Sequence, residues 1–263
     1  MIDATDYTGQ DGALPWLCLR NEVTDATITA SSAATGYDAE AVRGPQTYSQ
    51  WSPASLPAWV RAEFATPSDA TINYFAAYIA DGGGCTFTAE YWDGATWQVI
   101  GFPATVAAGE NACLLWILDV VPAGDIRLSV DGDTDALPPY VATLKAGMAD
   151  FIPYCPPVGF SPSSLNPDDE YTNTFSRGGQ VLGSELLSSR ASETLNIDIM
   201  KPAWVRANWP TIRTLMRTEG VVFAWRPAVY QELIYGMVTG TPTVAYSQHT
   251  RMTMSFTVEG PAL

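Results

Sequence analysis

Glycine and proline interrupt this sequence at short intervals, and that spacing limits what the chain can fold into. The 263 residues include 21 Gly and 19 Pro, and the segments between them are short and rich in β-branched and aromatic residues. A helical bundle does not fit between such interruptions, because Gly and Pro disfavour helix interiors. Short strands bounded by turns are typical of β-sandwiches and barrels. The sequence therefore predicts a mostly β protein.

Seven segments of the first half have the composition of strands. They are residues 59–64, 72–79, 86–92, 97–100, 112–119, 126–130 and 140–145. Asp93-Gly94 lies between two of them and predicts a hairpin turn, since this dipeptide tolerates the positive φ that tight turns need.

Alternation of apolar and polar residues is clearest in the second half. Met252, Met254, Phe256 and Val258 alternate with polar residues, which predicts a half-buried antiparallel strand. The same pattern places Leu195, Ile197 and Ile199 on one strand face, and residues 221–225 and 233–238 supply two further strands.

One helix is predicted between these strands, over residues 202–219. Pro202 suits the first helical position, and Ile212, Leu215 and Met216 form an apolar stripe. Gly220 ends the helix.

Charge divides the chain into two unlike halves. Residues 1–150 hold 19 of the 28 acidic but only five of the 13 basic residues, so nearly all of the net charge of −15 lies there. Residues 151–169 are dense in Pro and Ser and predict an extended linker. We therefore predict two domains, residues 1–150 and 170–263, joined by this linker.

The same composition argues against two classes of partner. The acidic first half repels phosphate backbones, so sequence-specific nucleic-acid binding is not expected. The longest apolar run, residues 113–118, is far shorter than the roughly 18–20 residues of a membrane span, and no export signal is recognised. We expect a soluble chain.

Catalytic and redox motifs are sparse. Cys18, Cys85, Cys113 and Cys155 contain no C-x-x-C, so buried free thiols are favoured over disulfides. His249 is the single histidine and lies in a polar segment that predicts an exposed turn. A Ser-His-Asp site would need this residue, so we predict no enzyme; a glycosidase carboxylate pair is the less favoured alternative.

Asp131, Asp133 and Asp135 place three carboxylates at alternate positions, a spacing that suits calcium. The EF-hand pattern fails, because Ala136 stands where it requires Gly. A solvated acidic turn is the favoured interpretation, and no metal or other cofactor is predicted.

Several motifs of the first half occur in an order known from one family. They are GPQTYSQW (44–51), PAWVRAEF (57–64), the segment from Phe87 to Trp97 with its YWDGATW hairpin, and VATLKAG (141–147). Over residues 20–148 the chain resembles the discoidin, or galactose-binding-like, jelly roll. The resemblance implies a jelly-roll sandwich whose loops bind sugars at one end, with Tyr48, Trp51 and Trp92 as candidate carbohydrate-binding residues. Trp51 also matches a family position that more often packs in the core.

The layout of the second half is similar to that of bacteriophage tail-tube and distal-tail proteins, a β-sandwich with one helix. This resemblance implies a ring, hexameric in that family, whose subunits join edge to edge by β-strands. Arg206, Arg213 and Arg217 are then candidates for channel or intersubunit charge, with a solvated helix face as the alternative.

Together these features predict a homo-oligomeric structural protein of a phage tail tip, or baseplate, contacting the tail tube, hub and tape measure. It would be a virion component assembled in the host bacterial cytoplasm, with a carbohydrate-binding-like module facing outward for host attachment. A stand-alone carbohydrate-binding protein with an accessory β domain is the competing hypothesis, and a hydrolase ranks third.

Overall fold

The computed structural model describes residues 1–64, 71–122, 124–133, 135–153, 161–163 and 165–263. Within these ranges the chain forms sixteen strands and one α-helix, so the protein is mostly β, as predicted. The strands are β1 (Ile2–Asp6), β2 (Trp16–Cys18), β3 (Thr27–Ala30), β4 (Ala58–Glu63), β5 (Thr71–Asp81), β6 (Cys85–Trp92), β7 (Trp97–Val106), β8 (Ala112–Pro122), β9 (Asp125–Asp131), β10 (Tyr140–Gly147), β11 (Asp150–Phe151), β12 (Asp168–Phe175), β13 (Val181–Met200), β14 (Val221–Ala224), β15 (Leu233–Gln248) and β16 (Arg251–Pro261). The helix α1 spans Pro202–Thr218, and short 3-10 helices span Gln10–Ala13, Glu22–Asp25 and Ala39–Arg43.

Two sheets of the first half form a β-sandwich. Their strand orders are β1-β8-β5-β10 and β3-β4-β9-β6-β7, and all seven predicted strands of this half are present as β4–β10. Strand β4 shows why they face each other: Ala58, Val60 and Ala62 are buried, whereas the residues between them are only half-buried. The Asp93-Gly94 turn is confirmed, with the Asp93 carboxylate accepting the amides of Ala95 and Thr96 at 2.8 Å and Gly94 at φ 102°.

The four-stranded sheet is buried on both faces, because its second face packs on a third sheet. That sheet has the order β11-β2-β14-β15-β16-β13-β12. Tyr74, Tyr78 and Leu115 from the sandwich share one apolar cluster with Val222 and Tyr235 from the third sheet. The protein is therefore layered, with the five-stranded, four-stranded and seven-stranded sheets stacked in that order.

Short strands from the first half take part in the third sheet. Strand β2 pairs antiparallel with β14, with Leu17 opposite Phe223, and β11 pairs with β2. Main-chain pairing thus crosses the predicted division into residues 1–150 and 170–263, and that division stays a prediction. Residues 154–160 and 164 of the predicted linker, including Cys155, lie outside the described residues.

The helix covers the far face of the seven-stranded sheet. Val205, Ile212 and Met216 of α1 are buried in one core with residues of β13 and β16. The predicted inward face of β16 is confirmed, since Met252, Met254, Phe256 and Val258 are all buried.

The prediction for Ile199 is wrong. Leu195 and Ile197 are buried, but Ile199 is 59% exposed with φ 66°, and Met200 is buried instead. The pairing of β13 with β16 shifts register between Ile197 and Met200. Such an irregularity changes which residues face inward, so the alternation breaks.

A buried lysine lies where the sandwich meets the third sheet. The Lys145 Nζ donates to the carbonyls of Gly220, at 2.5 Å, and Leu19, at 3.3 Å, and it lies 4.0 Å from the Glu219 carboxylate. Burial lowers the pKa of Lys145 to about 8, and the charge of Glu219 opposes this shift. The ammonium group therefore ties three segments together.

Cys18, Cys85 and Cys113 are buried free thiols. Burial raises the pKa of Cys85 to about 11 and that of Cys113 to about 12, so both are unreactive thiols rather than thiolates at neutral pH. Across the part of the chain that the structure describes, no helix has the length and apolar character needed to traverse a bilayer.

Candidate functional site

The loops of the sandwich meet at one of its ends. The turn after β5 bonds to the loop before β8, since Gly82 N donates to the Glu110 carbonyl at 3.0 Å. The loop before β10 joins them, with Leu137 N donating to the Gly83 carbonyl at 2.8 Å. The segment before β4 reaches the same end, where Trp51 and Val141 exchange two main-chain hydrogen bonds. This gathering is the expected setting for a binding site built from loops.

Tyrosines dominate the surface of this loop end. Tyr48 is 86% exposed, and Tyr37 packs on Tyr140 with ring centroids 5.1 Å apart. The hydrogen bond with Tyr37 raises the pKa of Tyr140, so the Tyr140 phenol stays neutral at neutral pH. Tyr37 and Tyr48 line a depression of about 470 Å³ together with Asp38, Glu40 and the polar residues 49 and 50. Aromatic faces beside carboxylate and amide groups suit a ligand with apolar patches and many hydroxyls.

The three candidate carbohydrate-binding residues are not brought together. Trp51 is fully buried, and its indole N–H donates to the Ser32 carbonyl at 2.9 Å. The prediction of Trp51 as an exposed carbohydrate-binding residue is therefore wrong. It is a core residue, the alternative that the resemblance left open. Trp92 ends β6, at the opposite end of the sandwich from Tyr48, and lies edge-on to Trp97 with ring centroids 5.6 Å apart. Only Tyr48 remains at the loop end.

The acidic turn does not assemble into a cation site. Asp131, Asp133 and Asp135 are all exposed, and the Asp131 carboxylate accepts the amide of Gly132 at 2.9 Å. Among the described residues no group of three or more His, Cys, Asp or Glu side chains is placed to hold a metal ion. These three residues therefore lie in an exposed acidic turn, and the absence of a bound calcium ion stays a prediction.

His249 lies in the exposed turn between β15 and β16, as predicted. Its ring has no hydrogen-bond partner among the described residues, and no carboxylate orients it. The geometry of a nucleophile, base and orienting group is therefore missing around this histidine.

A long two-stranded arm extends from the seven-stranded sheet. Residues 190–200 of β13 pair with β16, whereas β12 is the one described strand that pairs with residues 181–189. We call residues 168–189 the arm; its unsupported part is about 30 Å long at 3.3 Å per residue. Six large apolar side chains of the arm are between 49% and 68% exposed: Tyr171, Phe175, Val181, Leu182, Leu186 and Leu187.

The three arginines lie on the exposed side of α1. Arg206 donates to the Tyr246 hydroxyl at 2.5 Å. Arg213 and Arg217 are exposed, and neither has a hydrogen bond or ion pair with any described residue. The helix thus presents basic groups away from its own core, and their role in a channel or between subunits stays a prediction.

No family model and no curated protein sequence matches the chain. Among solved structures, a chitosan-binding module from a chitosanase/glucanase of Paenibacillus sp. IK-5 is 16% identical, with 48% of this chain and 98% of that chain covered and a TM-score of 0.40. A pectin-binding carbohydrate-binding module is 19% identical, over 46% of this chain and 88% of that one, with a TM-score of 0.37. A Ruminococcus gnavus fucosidase in complex with fucose is 13% identical, over 50% of this chain and 27% of that one, with a TM-score of 0.39. All three similarities are remote, and the sheet order above defines the fold.

Proposed function

We propose that this chain is a structural protein of a bacteriophage tail tip. In this proposal, copies assemble into a closed ring around the tail channel through the unit built on the seven-stranded sheet. The sandwich then faces outward as a carbohydrate-binding unit. The observation that carries the proposal is the arm, an element that cannot bury its own apolar side chains.

The arm calls for a partner on energetic grounds. A two-stranded hairpin is marginally stable in water without a further surface to cover it. Its outer strand, β12, is also the edge of the sheet within the described part of the chain, and an edge strand offers main-chain groups for pairing with another strand. A neighbour that packs on the arm would bury its six exposed apolar side chains and pair with its edge strand, and both changes would stabilise the arm.

A second copy of the chain is the partner that we favour. Among the described strands, β12 and β11 form the two edges of the seven-stranded sheet, and they differ in length and sequence. A contact between unlike surfaces of identical subunits is heterologous, and such contacts close into rings when the rotation permits. Arg206, Arg213 and Arg217 would then line the channel or meet an acidic neighbour.

The remaining partners follow from this position in the tail. A ring at the tail tip would contact the tail tube, the hub and the tape measure protein. Assembly in the reducing cytoplasm of the host bacterium agrees with the free thiols of Cys18, Cys85 and Cys113.

Glycan binding by the loop end completes the proposal. Tyr48 offers an exposed ring, and Asp38, Glu40 and Gln50 offer hydrogen-bonding groups around the depression. The same observation favours the second candidate function, a stand-alone carbohydrate-binding protein with an accessory β domain. The two functions differ in whether the chain assembles with itself.

The test changes the arm and leaves the core untouched. In the double variant Leu182→Ser with Leu187→Ser, two exposed apolar groups of the arm become polar. We expect the assembly interface to lose about 2–4 kcal/mol, which is a roughly 30- to 700-fold weaker association in sedimentation velocity.

The matched control is Thr174→Ser with Glu185→Gln, which changes two polar positions of the same arm and should leave assembly unchanged. A wild-type chain that sediments as a monomer, with glycan binding intact, would favour the stand-alone protein. A ring that persists in the leucine variant would remove the arm from the interface.

A further inference from the structure

The outer face of the five-stranded sheet carries a second cleft, which shares no lining residue with the depression beside Tyr48. Its volume is about 550 Å³, within the range of roughly 300–1,000 Å³ that small-molecule sites occupy. Three strands form its floor: β4, β9 and β6. Their outward side chains are the alternating residues that the sandwich core does not use.

Strand register aligns these side chains in rows. Trp59 of β4 lies opposite Ser129 of β9, which lies opposite Thr88 of β6. The next row along the same strands is Arg61, Arg127 and Glu90. One row therefore has an aromatic ring beside two hydroxyls, and the other is charged.

The charged row is held by contacts within the protein. Arg127 donates to the Glu90 carboxylate from Nε at 2.6 Å and from Nη2 at 2.8 Å, and the Ser129 hydroxyl donates to the same carboxylate. The Arg127 guanidinium also lies 4.3 Å from the centroid of the Trp97 ring. The Arg127–Glu90 pair is bidentate and packs on the Trp97 ring, so it has little freedom to move. The cleft is therefore preorganised.

Several polar groups of the cleft have no partner among the described residues. They are the Trp59 indole N–H, the Thr88 hydroxyl and the Nη1 group of Arg127. Asp131 closes the cleft at the loop end with an exposed carboxylate. The wall thus offers donors, an acceptor and a hydroxyl beside a half-buried aromatic face, which is what the alternating hydroxyls and C–H faces of a sugar require.

The charge of the cleft favours neutral sugars over acidic ones. Glu90 neutralises Arg127 inside the cleft, so Asp131 is the carboxylate that faces a ligand. Nearly all of the net charge of the protein also lies in this half. Both features disfavour polyanions such as uronic-acid chains or phosphate.

We propose that this cleft binds a neutral oligosaccharide on the outer sheet face, as a site separate from the loop end. In this site the Trp59 ring stacks on a sugar ring, and Thr88, Arg127 and Asp131 bond to its hydroxyls. Two such sites on one sandwich would allow a single subunit to engage a glycan chain at two points.

The experiment uses the full chain and begins with a glycan array that includes matched neutral and acidic chains, such as galactotetraose and tetragalacturonate. Any neutral glycan that binds is then titrated by calorimetry against wild type, Trp59→Ala, Thr88→Arg and Tyr48→Ala. Thr88 faces outward, so Thr88→Arg blocks the cleft even where Trp59→Ala fails to fold. Assembly is measured separately by sedimentation, which keeps a failure of the ring proposal distinct.

We expect neutral glycans to bind, Trp59→Ala and Thr88→Arg to weaken that binding by at least about tenfold, and Tyr48→Ala to retain a cleft-bound component. The indole N–H signal of Trp59 should shift in an NMR titration. Absence of any neutral glycan ligand would overturn the proposal. So would binding that Tyr48→Ala abolishes and Thr88→Arg leaves unchanged.

Discussion

Tyr235 provides a quantitative test of whether the sandwich and the third sheet unfold together. Its hydroxyl donates to the Pro45 carbonyl at 2.8 Å and lies 3.1 Å from the Thr143 hydroxyl, and its ring stacks on Tyr78 at 5.1 Å. The residue is 2% exposed. Every one of these contacts joins the third sheet to the sandwich.

Tyr235→Phe keeps the ring and removes the hydroxyl. The Pro45 carbonyl then loses its buried donor, whereas Thr143 keeps its hydrogen bond to the Gly44 carbonyl at 3.0 Å. We expect a loss of about 1–2 kcal/mol in the free energy of unfolding. Tyr235→Ala also removes the ring and should cost about 3–5 kcal/mol.

The assay is urea denaturation followed by tryptophan fluorescence and by far-UV circular dichroism. If the two units unfold together, both signals show one transition, and the Tyr235→Phe midpoint falls equally in both at unchanged slope. Tyr48→Phe, at an exposed position, should stay within about 0.5 kcal/mol of wild type. Two separate transitions, or a midpoint shift in only one signal, would show that the sandwich and the third sheet unfold independently.

Three further predictions concern single sites. Trp51→Ala should destabilise the protein by about 3–5 kcal/mol in the same assay because it empties a buried position, whereas Tyr48→Ala should change stability by less than about 0.5 kcal/mol; equal effects would contradict their placement. The pKa of Lys145 is lowered to about 8 in the fold from 10.5, so between these values the unfolded chain binds more protons and stability should rise with pH; Lys145→Met should flatten that rise in a pH series of melting temperatures. Arg127→Leu should cost about 1–3 kcal/mol at neutral pH. Burial raises the pKa of Glu90, but the hydrogen bonds from Arg127 and Ser129 outweigh it and lower that pKa, so the pair stabilises the fold less as the pH falls; the difference between variant and wild type should shrink in an acid pH series of melting temperatures.

Local patterns in the sequence were enough to predict the strands of the sandwich and the helix. Alternation over β4 and β16 reports directly which side chains face a core, and the Asp93-Gly94 turn follows from the backbone freedom of those two residues. The helix ends within one residue of its predicted end, but it is closed by extended backbone at Glu219, and Gly220 does not adopt the left-handed conformation of a glycine cap.

Features that depend on distant pairing could not be predicted in this way. Strand β2 has three residues and no period, and its partner β14 is about two hundred residues away in sequence. The exposure of Leu182 and Leu187 could not be predicted, because the sequence pattern shows that they are hydrophobic but not which surface covers them. Trp51 shows the opposite difficulty, because a tryptophan in a loop motif fits an exposed sugar-binding position and a buried core position equally well.

The candidate site was predicted only in part for the same reason. Tyr48 was identified from its motif, but the fold places Tyr37 in the same depression, and Tyr140, which is distant in sequence, packs on Tyr37. The rows on the outer sheet face need the register of three strands, which composition does not contain. Trp59 carried the one available signal, as an aromatic residue at a polar-facing position of an alternating strand.

Whether this chain closes into a ring with copies of itself can be read from the native mass spectrum of the full chain. A closed ring gives one dominant species at a fixed multiple of 28.3 kDa, six in the tail-tube arrangement, that does not grow as concentration rises. A monomer at every concentration, or an open series of all multiples, would contradict it.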